Sequence, residues 1–122
     1  VTVPDGPPAL LISGRQPRST VRVLRPSGVL DIGTVPLLAR FLREQAADHP
    51  GQLVLDMSGV RLLAAAGVAL IVAAQRDLGA RMHLTGVRGN PAVERVLEIT
   101  GTRAALRVHD ELDALLDRLD PA

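Results

Sequence analysis

The sequence predicts an α/β fold: an open mixed β-sheet of four to five strands with about four helices packed largely on one side. Two observations predict it. Short β-rich runs open the chain, and from residue 34 onward segments of helical period alternate with short apolar strands. A chain of 122 residues with 47% hydrophobic content also fills a single core without disulfides or metal, so one domain is expected.

Val1 to Pro8 carries three prolines and reads as a flexible arm; the domain proper is placed at residues 9–119 and a short tail at 120–122. Leu10 to Ile12 and Thr20 to Arg25 are β-rich runs separated by Gly14 and Pro17. In the second, Val21 and Val23 alternate with Arg22 and Leu24, which predicts a strand pair with one wet face. Pro26-Ser27-Gly28 reads as a turn. Val35, Leu38, Phe41 and Leu42 then recur at helical spacing, with Thr34 as cap, Pro36 in the tolerant first turn and His49-Pro50-Gly51 as a stop. A helix is expected from about Thr34 to Ala47.

Leu53-Val54-Leu55 has the pattern of a central strand ending at Asp56, followed by a loop from Met57 to Ala65. A second helix is expected from Ala66, with Gly67, Ile71, Ala74 and Leu78 on one face and Gly79 as a left-handed stop. Met82 and Leu84 belong to the next strand. Asn90-Pro91 is a cap with proline in the first turn of a third helix, which buries Val93, Val96 and Leu97 and ends at Gly101. Leu106 to Val108 reads as an edge strand. Asp110 then caps a last helix that turns Leu112, Leu115, Leu116 and Leu119 inward.

Composition removes several functions. Phe41 is the only aromatic residue, so stacking on nucleic-acid bases is not available, and 14 arginines against 13 acidic residues leave +1 with no basic stripe for phosphates. Nucleic acid is not expected as a partner. With no cysteine there is no disulfide, thiol nucleophile or thiolate metal site, and the apolar run Leu62 to Ala74 is too short to span a bilayer. No secretory leader is visible either, so a cytoplasmic protein without membrane insertion is expected. His49, His83 and His109 show no metal-ligand spacing, and no phosphate loop, nucleophile elbow or dinucleotide fingerprint occurs. Neither an enzyme nor a cofactor is expected. That all cations are arginine, beside abundant alanine, suggests a genome rich in G and C.

Three segments, in series, carry a resemblance. They are Ser27-Gly28-Val29-Leu30-Asp31, Leu53 to Val60 followed by Gly67 at a helix start, and Arg95-Val96-Leu97-Glu98-Ile99-Thr100-Gly101. Together they resemble the STAS domain of anti-sigma-factor antagonists, in that family's order and spacing, over residues 9 to 119. The resemblance implies partner switching. Such a domain docks on an anti-sigma factor of the serine-kinase type and so frees the sigma factor, until phosphorylation of a loop serine undoes the docking.

The resemblance implies partner contacts at Asp31, at Ala64, Ala65, Ala66 and Gly67, and at Asn90. Where the family has Asp-Ser-Ser-Gly this chain has Ala64-Ala65-Ala66-Gly67, so Ala65 stands at the phosphoserine position and offers no hydroxyl. Alanine there also forfeits a helix cap worth about 1 kcal/mol. An antagonist-like module that is not switched at this loop is therefore expected. An alanine-rich genome accounts for the run as well as deliberate replacement would.

Asp31 has two readings, contact with the partner or a hydrogen bond to the turn before the first helix. Ser58 reads as a turn-stabilising residue rather than a substitute phosphoacceptor, and a homodimer is left open. The alternative function keeps the fold and makes the chain a cytoplasmic subunit of a transporter or a scaffold of a signalling complex.

Overall fold

The structure, a computed structural model, describes residues 8–121. Of the expected arm only Pro8 falls within them. The opening strand pair is present but longer than expected: β1 (Leu10–Arg18) and β2 (Val21–Leu30) pair antiparallel. Gly14 lies inside β1, and Pro17 falls where the register shifts between Arg15 and Arg18. An edge strand tolerates both, because no described residue pairs with its outer side.

Pro26-Ser27-Gly28 is not a turn. Its residues continue β2, opposite Ile12, Leu11 and Leu10. The other side of β2 explains how a central strand accepts proline. Val21 to Leu24 pair there with β3 (Gln52–Asp56), and Gly28 to Leu30 pair with β4 (Val60–Leu63), both parallel. Pro26 sits at the seam between those neighbours. The Val29 N–H donates to the Ala9 carbonyl at 2.8 Å, and in an antiparallel ladder such donors recur every second residue. The Pro26 nitrogen therefore faces the seam, where no ladder bond is lost.

The sheet is completed by β5 (Met82–Thr85), parallel to β3, for the order β1-β2-β3-β5 with β4 on β2 beyond the end of β3. β4 was not expected. It occupies the segment read as a loop, after a single 3-10 turn at Met57–Gly59. Leu106 to Val108 forms only an isolated bridge, Leu84 to Val108, because a 3-10 turn at Arg103–Ala105 leaves too little extended chain.

Three helices, α1 (Val35–Asp48), α2 (Ala65–Leu78) and α3 (Pro91–Thr100), cover one face, whose core includes Leu24, Leu30, Leu38, Leu55, Ile71 and Leu97. The fourth, α4 (Leu112–Leu119), crosses to the other face, where Leu115 and Leu116 meet Val21, Val23 and Val54. Both faces of β2 are thus covered along Val21 to Leu24, and the exposed residues of the strand pair lie mostly on β1. Asp110 does not cap α4; the cap position is Glu111, and the Asp110 carboxylate pairs instead with Arg88 at 3.3 Å. In α2 the buried Gln75 does work that hydrophobic periodicity does not reveal. Its amide donates to the Gly79 and Met82 carbonyls, at 2.9 Å each, and accepts from the Arg107 N–H at 3.0 Å. Among the described residues no helix is long and apolar enough to cross a membrane.

Gly28 is the tightest point of the sheet, since its φ is +118° and a Cβ there would stand 2.2 Å from the Ala9 carbonyl oxygen. Gly28→Ala is expected to lower unfolding stability by about 3 kcal/mol in urea titration, because both the backbone conformation and the strand spacing oppose it. A loss below about 1 kcal/mol would show that the β1 to β2 spacing is not fixed there.

Candidate partner-docking face

The parallel strands β2 and β4 end side by side, Leu30 opposite Leu63, and the chain leaves them into α1 and α2. One backbone hydrogen bond joins the two exits, from the Ala64 N–H to the Leu30 carbonyl at 2.8 Å. Asp31 and the alanine run, 33 positions apart in sequence, are thereby brought to one end of the sheet.

Asp31 holds its own turn. Its Oδ1 accepts from the N–H groups of Gly33 at 2.9 Å and Thr34 at 3.1 Å, while the Asp31 N–H donates to Thr34 Oγ1 at 3.0 Å. This reciprocal pair has the form of a capping box, with Asp31 rather than Thr34 in the capping role. Thr34 occupies the last position before α1 but its hydroxyl bonds no helical N–H; it donates back to the Val29 carbonyl at 2.8 Å. Oδ2 of Asp31 makes no hydrogen bond among the described residues and stays free for a partner.

Between Asp31 and the capped turn stands Ile32, 84% exposed. An isoleucine so bare on a rigid turn is unusual, and Leu62 on β4 is also exposed. The sequence signal for Ile32 is an apolar residue directly after the Gly-x-Leu-Asp segment, in a turn that needs none.

The alanine run divides by burial. Ala64 is the cap position of α2 and Ala65 its first residue, so the forfeited cap belongs to Ala64, one residue before the position expected. Ala65 is exposed, Ala64 and Ala66 are half-buried, and Gly67 is buried. Gly67 faces inward: a Cβ there would stand 2.7 Å from Leu63 Cδ1 and 3.2 Å from the Leu30 carbonyl oxygen. It lets the first turn of α2 settle onto β2 and β4, and is not itself a contact for a partner. Outward, Ala65, Ala69 and Ala73 form a stripe at helical spacing. With Val72, Arg76, Thr100 and Thr102 they line a shallow, mainly apolar groove.

Asn90 reaches the same end of the molecule from the α3 side. Its Nδ2 donates to the carbonyls of Met57 at 2.9 Å and Val60 at 2.8 Å, and its Oδ1 accepts from the Ala92 N–H at 3.2 Å. Both donors and one acceptor position of the side chain are spent on backbone, so Asn90 supports the face from beneath. Ser58 is exposed, and the turn is stabilised by its backbone N–H, which donates to Asp56 Oδ1 at 3.0 Å, rather than by its hydroxyl. The expected turn role thus belongs to Asp56.

No side chain caps α2. Ala64→Ser supplies the missing acceptor and is expected to raise stability by about 1 kcal/mol in urea titration; no gain would mean that Ala64 is not the cap. Asn90→Asp turns both donor sites against two carbonyls and is expected to cost about 2 kcal/mol by the same measurement. An unchanged midpoint would remove its supporting role.

Comparison with known proteins agrees with this architecture. The family model described as "Mlab, STAS domain" matches residues 13–117. The anti-sigma-F factor antagonist RsfB of Mycobacterium tuberculosis is 29% identical over 96 residues, which are 78% of this chain and 79% of that protein. The crystal structure of an anti-sigma factor antagonist from Mycobacterium paratuberculosis superposes with a TM-score of 0.79 at 27% identity, covering 98% of each chain. The anti-sigma factor antagonist SpoIIAA in its unphosphorylated form shares the fold, with a TM-score of 0.69 at 16% identity over 92% of this chain and 98% of its own. A sheet that exits into a capped turn and a glycine-seated helix, matched along nearly its whole length by that family model, makes this chain a member of the STAS domain family.

Proposed function

We propose that this chain is an anti-sigma factor antagonist that docks an anti-sigma factor of the serine-kinase type through the end of the sheet where Ile32, Leu62, Ala65 and Ala69 lie exposed. The observation that carries the reading is the small, apolar, hydroxyl-free start of α2 at the same end of the sheet as the exposed Ile32. Likeness to two named antagonists supports it.

The chemistry of the face suits a protein partner. Small side chains at Ala65, Ala69 and Ala73 admit close backbone approach, Ile32 offers one large apolar anchor, and Asp31 Oδ2 offers one acceptor at the rim. The nucleotide used by a kinase belongs to the partner. This chain acts by binding, in the cytoplasm, without a cofactor and without catalysis of its own.

The absence of a hydroxyl at Ala65 bears on regulation. A phosphoserine at the first position of α2 would set a charge of about −1.5 to −2 in the middle of an apolar contact. At Ala65 no such group can be attached, so docking is governed by the amount of partner rather than by phosphate on this loop.

Pull-down from the native cytoplasm with the purified chain, followed by identification of the retained proteins, tests the reading. A serine-kinase-type anti-sigma factor is expected with the parent, and at least tenfold less of it with Ala65→Glu or Ile32→Arg. Retention of a transporter ATPase instead, or equal retention by all three proteins, overturns docking at this face. With the captured kinase and ATP, Ala65→Ser is expected to incorporate phosphate while the parent does not; stoichiometric phosphate on the parent would overturn the unswitched regulation.

A further inference from the structure

Away from the docking face, two histidines 26 positions apart in sequence are brought into direct contact. His83 lies on β5, on the side of the sheet covered by α4, and is buried; His109 lies just after the Leu84 to Val108 bridge and is half-buried. Their rings are linked from His83 Nδ1 to His109 Nε2 at 3.0 Å. The outer nitrogens are also engaged, His83 Nε2 with Gln52 Oε1 at 2.9 Å and His109 Nδ1 with the Arg118 guanidinium at 2.9 Å. A continuous line of hydrogen bonds thus runs from α4 through His109 and β5 to β3.

Only one protonation pattern satisfies that line. A guanidinium can only donate, so His109 Nδ1 must accept and its proton must sit on Nε2. His109 Nε2 then donates to His83 Nδ1, which leaves the His83 proton on Nε2, facing the acceptor oxygen of Gln52. Both rings are neutral, and each has its tautomer fixed by its neighbour. A further proton on His109 Nδ1 would face the Arg118 donors, and one on His83 Nδ1 would face the His109 N–H. Either replaces a hydrogen bond by a repulsion.

We propose that the His83–His109 pair is a proton-operated latch that holds α4 against the sheet at neutral pH and releases it on acidification. The surrounding charges favour the neutral form. Burial first, then His109 and Arg107, push His83 down to about 4; the Ala80 carbonyl opposes them, and Arg118 adds a smaller lowering effect. His109 is lowered by burial, Arg118 and Arg107, with Asp110 opposing. Arg103 and Glu111 line the same shallow cavity as His109, and Gln52 on β3 carries no charge. Apart from the latch, α4 is held by Leu112, Leu115, Leu116 and Leu119 on the valine cluster, by the Arg18 to Asp117 ion pair at 2.8 Å, and at its end by Asp120, whose carboxylate accepts from Ser19 Oγ and the Thr20 N–H at 3.4 Å each.

The sign follows from linkage. With folded-state values depressed, the latch contributes its full stability above the ordinary histidine value of about 6.5 and loses it as pH falls toward the lowered His83 value of about 4. For His83 alone, opening at pH 5 is favoured roughly 30-fold over pH 7.5. His109 adds to this in the same direction.

Hydrogen exchange of the whole chain, corrected for the intrinsic effect of pH on amide rates, tests the latch. Amides of α4 are expected to lose roughly 30-fold or more of their protection between pH 7.5 and pH 5, while those of α1, α2 and α3 keep theirs. His83→Gln combined with His109→Gln is expected to abolish that pH dependence. Should the double variant not fold, ring 15N shifts of the parent chain decide. Nitrogens that titrate below the ordinary histidine value, together with loss of α4 protection, support the latch. Rings that titrate near 6.5 while α4 stays protected overturn it. So would equal α4 protection at both pH values, simultaneous loss in all four helices, or a pH response that survives in the folded double variant.

Discussion

The architecture depends on β2 having three partners. Along one side it pairs with β1; along the other it pairs first with β3 and then with β4, and the change of neighbour falls at Pro26. Because β4 takes over where β3 has ended, the start of α2 is delivered beside the end of β2. Without that exchange the Asp31 turn and the alanine run would exit from different places. The proline is compatible with the exchange because the seam asks nothing of its nitrogen.

Around the docking end, polar side chains serve the backbone. Asp31 and Thr34 close one turn, Asp56 closes the next, and Asn90 ties α3 to the chain on either side of the Met57–Gly59 turn. What remains for contact is mostly aliphatic: Ile32, Leu62 and the alanine stripe. The division explains how an apolar surface can be held in a defined shape by residues that do not themselves form it.

Much of this was legible in the sequence because it is local. The four helices, Asn90 as a cap, the left-handed stop at Gly101 and the central strand ending at Asp56 all follow from spacing and capping chemistry; Gly79 also ends α2, but at φ 56° and ψ −127°, outside the left-handed helical region expected of it. What was not legible depends on contacts distant in sequence. Val60–Leu63 is only four residues with no alternation, and it is a strand because β2 has an open side there. Pro26-Ser27-Gly28 carries the composition of a turn, and only the seam makes it strand. That both faces of β2 are covered, Leu24 by the three helices and Val21 and Val23 by α4, required knowing where α4 goes, and Thr34 and Asp110 resembled caps because capping residues are recognised by type and not by where their oxygens find donors. Of the residues expected to meet a partner, Asp31 and Ala65 lie at one end of the sheet, Gly67 is buried and Asn90 is bonded to backbone, while Ile32 was overlooked because an exposed isoleucine leaves no periodic signal.

The Asp31–Thr34 box has a thermodynamic consequence for recognition. Fixing a flexible turn on association costs about 1–2 kcal/mol per residue in backbone entropy, a charge that a small contact patch can scarcely offset. Here the turn is already closed before any partner arrives, so the apolar area of Ile32 is available almost undiminished to slow dissociation. In the proposed docking, selectivity rests on whether the opposite surface has a cavity where the closed turn presents that single side chain.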